Sequence, residues 1–316
     1  MLRRGTIPSG RTRHSLSAQR RSVRYGSTGD AKGEIMRRLL HLTVLLASLS
    51  LAGVLHAQRS VDAPRADGAQ TPLMVYQPSS AACPPLLLLS HGAGGDEHGL
   101  RYLAQAMQND GWRVIVMGHR ESGLAAVRAD IRKHGFKGGL REIVADPDAY
   151  RARFMDIEAA LKWSEQQCHA PFKALAGHSM GAHTVQLEAG ARNTLGLQPA
   201  GGFDAYVALS PAGPDNVFPP DADRAIRAPM LMITGTRDDG LEGDYRWRMQ
   251  AFDALPPGCH WLAVIDGATH MNFGGNALGA SVEKTTQVLV STWLDALRQG
   301  RCGTLPALTG VSLMHK

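Results

Sequence analysis

Residues 172–184 read FKALAGHSMGAHT, and the organisation of the chain follows from them. The apolar run 172–176 has strand length, Gly177-His178-Ser179-Met180-Gly181 is a GxSxG, and the small residues Ala182, His183 and Thr184 open a helix. A strand that turns this sharply into a helix leaves no room for side chains on either flank, so both flanks are glycine and the serine hydroxyl is lifted out of the sheet at a helix N-terminus. Glycine and serine also populate ordinary turns. The strand before and the helix after make Ser179 a candidate nucleophile.

Further apolar runs of strand length lie at 73–76, 86–89, 112–117, 205–209, 230–233 and 261–265. Most are apolar throughout, which predicts strands buried on both faces and hence a mainly parallel sheet. Helical patterns fall between them. Asp146 and Pro147 read as a cap and a first-turn proline, followed by Tyr150, Phe154, Ile157 and Leu161 at spacings of 4, 3 and 4. Near the end, Val282, Leu289, Trp293 and Leu297 form one stripe. Strands alternating with helices predict an α/β fold, a doubly wound mainly parallel sheet with helices on both faces.

A serine at its free pKa is a poor nucleophile and needs a base held in one tautomer. Two loops, each just past a strand, offer the parts: Gly235-Thr236-Arg237-Asp238-Asp239 and Gly267-Ala268-Thr269-His270. Sites in open parallel sheets form at those strand ends. His270 is the candidate base and Asp238 the candidate acid, with Asp239 beside it as the alternative. Asp266 reads as the end of its strand. His98, His169 and His260 read as exposed loop or core. The Gly-rich stretch Ser90-His91-Gly92-Ala93-Gly94-Gly95 follows the strand 86–89 and supplies the second candidate feature, a loop whose amides stabilise an oxyanion. The amides of Ala93 and Met180 are assigned that role. A phosphate cradle is the competing reading of the loop, and GxxxxGK[ST] is missing from it. His91, Asp96, Glu97 and His98 match no familiar metal-ligand spacing, so no metal is assigned.

The first 57 residues differ from the rest. Met36, Arg37 and Arg38, the uncharged run 39–55 and small Ala57 make the pattern of a secretory signal at 36–57, cut after Ala57; a retained anchor is the alternative. Residues 1–35 are rich in Arg, Ser and Gly without periodicity, and read as a disordered extension ahead of a true start at Met36, or as a basic nucleic-acid-binding arm. The chain holds 34 Lys and Arg against 28 Asp and Glu. Ten and two of these fall in residues 1–38, so the rest carries 24 against 26, and its slight negative charge implies no nucleic-acid partner. Residues 58–316 suit one domain, expected in the periplasm or outside the cell, with no stable membrane span after cleavage. All four cysteines, Cys83, Cys168, Cys259 and Cys302, lie in that part, and an even number in an exported chain favours two disulfides.

The stretches LLLLSHGAGG at 86–95, LAGHSMGA at 175–182, VALSPAGP at 207–214, MLMITGTRDDG at 230–240 and DGATHMNFGG at 266–275 resemble those of the α/β-hydrolase superfamily. More narrowly they resemble the predicted dienelactone hydrolases, related to platelet-activating-factor acetylhydrolases. The likeness spans nearly all of 72–300, and the order Ser, Asp, His is the superfamily's. Dienelactone hydrolases carry a cysteine where this chain has Ser179, which shifts the expectation to simple carboxylic esters, cleaved through an acyl-enzyme without a cofactor. Thioesters, amides or acyl transfer to another acceptor are alternatives for the same triad, as is a non-catalytic binding module. The superfamily topology puts Cys83 and Cys168 below adjacent strands, and Cys259 below the last strand near the end of the returning helix that carries Cys302. It therefore implies those two pairings. Residues 211–228 number 18 with four prolines, leaving no room for a large cap domain. The insertion 121–148, with Arg128, Arg132, Lys133, Lys137 and Arg141, reads as a solvated face beside the cleft. From this follows an open, shallow site with apolar contacts from Met180, Phe273 and Trp247, suited to short acyl groups.

Overall fold

A computed structural model describes residues 58–79, 83–199, 201–275 and 279–316. The proposed extension at 1–35 and signal at 36–57 lie outside them. Nine strands form one sheet in the order β1-β2-β4-β3-β5-β6-β7-β8-β9. They are β1 (Gln58–Pro64), β2 (Gln70–Tyr76), β3 (Leu86–Ser90), β4 (Arg113–Met117), β5 (Lys173–His178), β6 (Ala205–Leu209), β7 (Met230–Arg237), β8 (His260–Thr269) and β9 (Val311–His315). From β4 to β8 all neighbours run parallel. The outer pairs β1–β2, β2–β4 and β8–β9 are antiparallel.

Each central strand is buried on both faces, and alternate residues feed two separate cores. Leu86, Leu88 and Leu175 face one core with Tyr150, Ile157, Val185 and Phe252 from the helices Pro147–Gln167, Met180–Glu188 and Tyr245–Ala254. Leu87, Leu89 and Ala176 face the other with Leu103, Met107, Leu289 and Trp293 from Arg101–Asn109 and Ala280–Arg298. The apolar spacings read from the sequence are the stripes these helices bury. Asp146 caps its helix by accepting from the Asp148 amide, with Pro147 in the first turn, where its missing N–H costs nothing.

Parallel register positions the loops. Ser90 pairs with Gly177 across β3–β5, so the turns after both strands emerge side by side. β7 and β8 likewise end together, with Arg237 opposite Thr269. At the other end of the sheet Cys83 is bonded to Cys168 and Cys259 to Cys302, the pairing that the topology implies. Each contributes about 2–4 kcal/mol by restricting the unfolded chain. Between β6 and β7 the described chain holds no helical layer larger than the short turn Ala222–Ala225, so there is no cap domain. Among the described residues no helix is long and apolar enough to cross a membrane.

Candidate active site

Ser179 occupies the turn between β5 and the helix Met180–Glu188 with φ 57° and ψ −121°, a backbone that a non-glycine residue rarely adopts without a functional reason. The flanking glycines are sterically required. A Cβ on Gly181 would collide with the carbonyl oxygen of Ser90, and one on Gly177 with that of Gly181. Held this way, Ser179 Oγ is 2.9 Å from His270 Nε2, and His270 Nδ1 is 2.8 Å from Asp238 Oδ1. With Nδ1–H donating to the carboxylate, Nε2 is left to accept from the serine hydroxyl. The adjacent Asp239 is exposed, and its carbonyl oxygen accepts from Arg248, so of the two acids it is Asp238 that accepts from His270.

Asp238 is fully buried. Burial pushes its carboxyl up, but the hydrogen bond from His270 and the charge of Arg248 outweigh it and leave the carboxyl below its usual range. Thr234 Oγ1 donates to the other carboxylate oxygen at 2.9 Å. His178, the variable residue of the GxSxG, donates from Nε2 to the His270 carbonyl at 2.9 Å. Burial, then the neighbouring His270, lowers its pKa to about 3, so it stays neutral and clamps the loop that carries the base.

The loop after β3 lies against this turn. Gly92 approaches so closely that a Cβ would meet the Ser179 Cβ at 3.2 Å. The Gly94 amide is used on Ser122 O and that of Gly95 on Gly92 O. Among the described residues the amides of Ala93 and Met180 donate to no protein acceptor, as an oxyanion hole requires. His91 is structural: its Nε2 accepts from the His119 amide at 3.0 Å, its Nδ1 donates to Gly92 O at 2.6 Å, and burial holds it well below its ordinary pKa.

No protein-family model matches the chain, and no curated protein matches it in sequence. Solved structures do match. The Pyrococcus furiosus esterase Pf2001 aligns over 74% of this chain and 89% of its own at 14% identity, with a TM-score of 0.51. A Klebsiella pneumoniae protein assigned as a dienelactone hydrolase aligns over 73% and 95% at 17% identity and 0.55. The Pyrococcus horikoshii acylaminoacyl peptidase aligns over 80% and 43% at 13% and 0.53. The chain has the α/β-hydrolase fold.

Within this fold a second Ser–His–Asp chain runs below the first. Ser90 Oγ is 2.9 Å from His119 Nε2, and His119 Nδ1 is 2.8 Å from Asp156 Oδ2. All three are at most 1% exposed, and none lines the cleft, so no substrate carbonyl reaches Ser90. Arg153 donates to Ser90 Oγ, Ser122 Oγ and the His91 carbonyl. The buried network therefore supports the loop after β3 from beneath, and the hydrogen-bonded chain that reaches the cleft, through Ser179 and His270, is Ser179–His270–Asp238.

The cleft above Ser179 is a cavity of about 590 Å³ that stays partly open to solvent and exceeds what a short acyl group fills. The insertion forms the helix Leu124–Ala145, broken at Gly135 with φ 72°, and its Val127, Ile131, Leu140 and Val144 line one wall. Of its five basic residues Arg128, Arg132, Lys133 and Lys137 are exposed as expected, whereas Arg141, also exposed, lines the cavity and bonds to Glu242. Met180 and Phe273 are fully buried, one in each core, and neither lines the cavity. Trp247 does line it, with its indole N–H donated to Pro214 O at 2.7 Å. Arg248, which the sequence does not mark, is buried against the triad with Nε 3.0 Å from Asp238 Oδ1. His98 and His169 are exposed and His260 is buried. Among the described residues no cluster of side chains suits a metal ion.

Proposed function

We propose that this chain is an exported serine esterase that hydrolyses carboxylic esters. The observation that carries the reading is the Ser179–His270–Asp238 chain of hydrogen bonds, opening on a cavity beside two unspent amides. His270 takes the Ser179 proton as Oγ attacks the ester carbonyl, and the charge that develops on the carbonyl oxygen meets the Ala93 and Met180 amides. His270 then gives the proton to the departing alkoxide. Water enters, His270 deprotonates it, and collapse of the second tetrahedral adduct releases the acid and restores Ser179. Buried Asp238 keeps Nε2 the accepting nitrogen and balances the imidazolium.

Esters are favoured over amides by the likeness to Pf2001, itself an esterase, over most of both chains. The leader pattern at 36–57 and the two disulfides support export to the periplasm or beyond. The test is labelling with a fluorophosphonate followed by peptide mapping, together with turnover of p-nitrophenyl esters, acyl thioesters and anilides. Label on Ser179 and preferential ester turnover are expected. No label, or faster anilide than ester cleavage, refutes the reading.

A further inference from the structure

Among the described residues the exposed large apolar side chains are Leu124, Phe136, Leu241 and Met271, at 50%, 67%, 37% and 49% exposure. Single exposed apolar residues are ordinary on a protein surface. All four of these border the same cavity as Ser179. Apolar surface gathered at one rim marks a place where something apolar binds.

The rim continues inward as a wall. Val127, Ile131, Leu140 and Val144 descend from the helix Leu124–Ala145 toward Ser179. The break at Gly135 sets the second half of the helix in a new direction, and Phe136 begins it. Across the cleft Leu241 belongs to the loop that follows Asp238. The two sides are tied together: Arg141 donates to Glu242 at 2.9 Å and to the Leu241 carbonyl at 3.0 Å. That tie also occupies the cation on the wall, while Arg248 is occupied by Asp238. Both guanidinium groups that line the cleft are therefore already paired with an acid of the protein.

We infer that the cleft selects esters whose acyl part is an extended apolar chain of more than six carbons without a charged end, and that Leu124, Phe136, Leu140 and Leu241 determine this selectivity. The inference rests on the ester reading above. A cavity of about 590 Å³ falls within the range of sites that enclose most of a drug-sized ligand, and an acetyl group leaves nearly all of it, and the whole apolar wall, in water. Each methylene that moves from water onto the wall favours the transition state by about fourfold at most. The gain accumulates until the wall is covered.

The experiment measures kcat/KM for p-nitrophenyl acetate, butyrate, hexanoate, octanoate and decanoate, each kept below its solubility limit, and for the monoester of an eight-carbon dicarboxylic acid. The Leu124→Ser, Phe136→Ser double variant is run beside the wild type. Both positions are at least half exposed, so the fold does not depend on them. The wild type should favour octanoate over acetate by tenfold or more and disfavour the acid-ended chain. The variant should lose about tenfold on octanoate while staying within twofold on acetate. A maximum at acetate or butyrate, or a variant that lowers every ester equally, overturns the inference and leaves the esterase reading intact. Absence of turnover on every ester, with no fluorophosphonate label on Ser179, overturns both.

Discussion

The Arg248 guanidinium lies 3.0 Å from Asp238 Oδ1, the oxygen that His270 Nδ1 reaches at 2.8 Å. Arg248 Nη2 is also 3.1 Å from Nδ1. Nδ1 bears the proton given to Asp238, so this last approach brings two donors together and is not a hydrogen bond. The triad acid is thus shared between the base and a buried cation, which further donors of Arg248 anchor to the carbonyls of Ser210 and Pro211.

Arg248→Gln removes a charge that helps keep Asp238 ionised, so the carboxyl protonates at higher pH and releases its hold on His270 sooner as pH falls. The acid limb of the kcat/KM profile should move upward, with kcat reduced about tenfold or more and KM changed less. Arg248→Lys should restore part of the charge effect but not the fork of contacts. An unmoved acid limb in Arg248→Gln would show that the guanidinium only packs there.

Two Ser–His–Asp chains invite a direct comparison. Ser179→Ala and His270→Ala should each lower kcat/KM by several powers of ten with little change in melting temperature, and Asp238→Asn nearly as much. Asp239→Asn should stay near wild type. Ser90→Ala instead leaves Arg153 and His119 short of a partner in the core, costing about 1–3 kcal/mol of stability, and lowers activity far less. Loss of labelling in Ser90→Ala with retention in Ser179→Ala would exchange the two sets.

The elbow offers a test of the steric argument. Gly181→Ala places a methyl group on the carbonyl oxygen of Ser90, and backbone at that point cannot move without separating β3 from β5. The variant should be destabilised by more than about 3 kcal/mol or fail to accumulate. Ala182→Gly, one position along, should cost only about 1 kcal/mol. Equal melting temperatures for Gly181→Ala and the wild type, measured by calorimetry, would refute the clash.

What could be read from the sequence was what local sterics and burial dictate. Gly177 and Gly181 are fixed by collisions within a few residues, and the central strands by burial on both faces. β1 and β9 were not legible, because their side chains are mostly exposed or half-exposed and carry no apolar run; edge hydrogen bonds hold them. Arg248 was missed because its meaning comes from a helix packing its side chain under the triad. Met180 and Phe273 misled through proximity to Ser179 and His270 in sequence, since both side chains turn into the cores. The wall was hidden among basic residues and glycines, although Leu124, Val127 and Ile131, at spacings of 3 and 4, were its trace.

A final consequence concerns stability at neutral pH. Glu188 and Asp223 are 4% and 3% exposed, and among the described residues neither has an ion-pair partner. Glu188 accepts only from the Gly201 amide and Asp223 from Gln186 Nε2. Burial pushes both carboxyls up to about 7, and burial also raises Asp156, to about 6. In the unfolded chain carboxyls titrate near 4, so between these values the native state binds more protons and stability falls as pH rises. The contribution is complete below about pH 4 and lost by about pH 8. Asp238 has the opposite sign, since its pKa is lowered, but it acts only below about pH 4, outside this window. The buried histidines His91, His119, His178, His183 and His260 act the other way below about pH 6.5, because burial lowers their pKa and the unfolded chain binds those protons instead. The carboxyl contribution is therefore read as the difference in stability between the wild type and a Glu188→Gln, Asp223→Asn double variant, by calorimetry at pH 5, 6, 7 and 8. Relative to that variant, which keeps an acceptor at both places, the wild type should lose stability as pH rises from 5 to 8. A difference between the two proteins that does not fall from pH 5 to 8 would mean that these carboxyls are ionised in the folded protein.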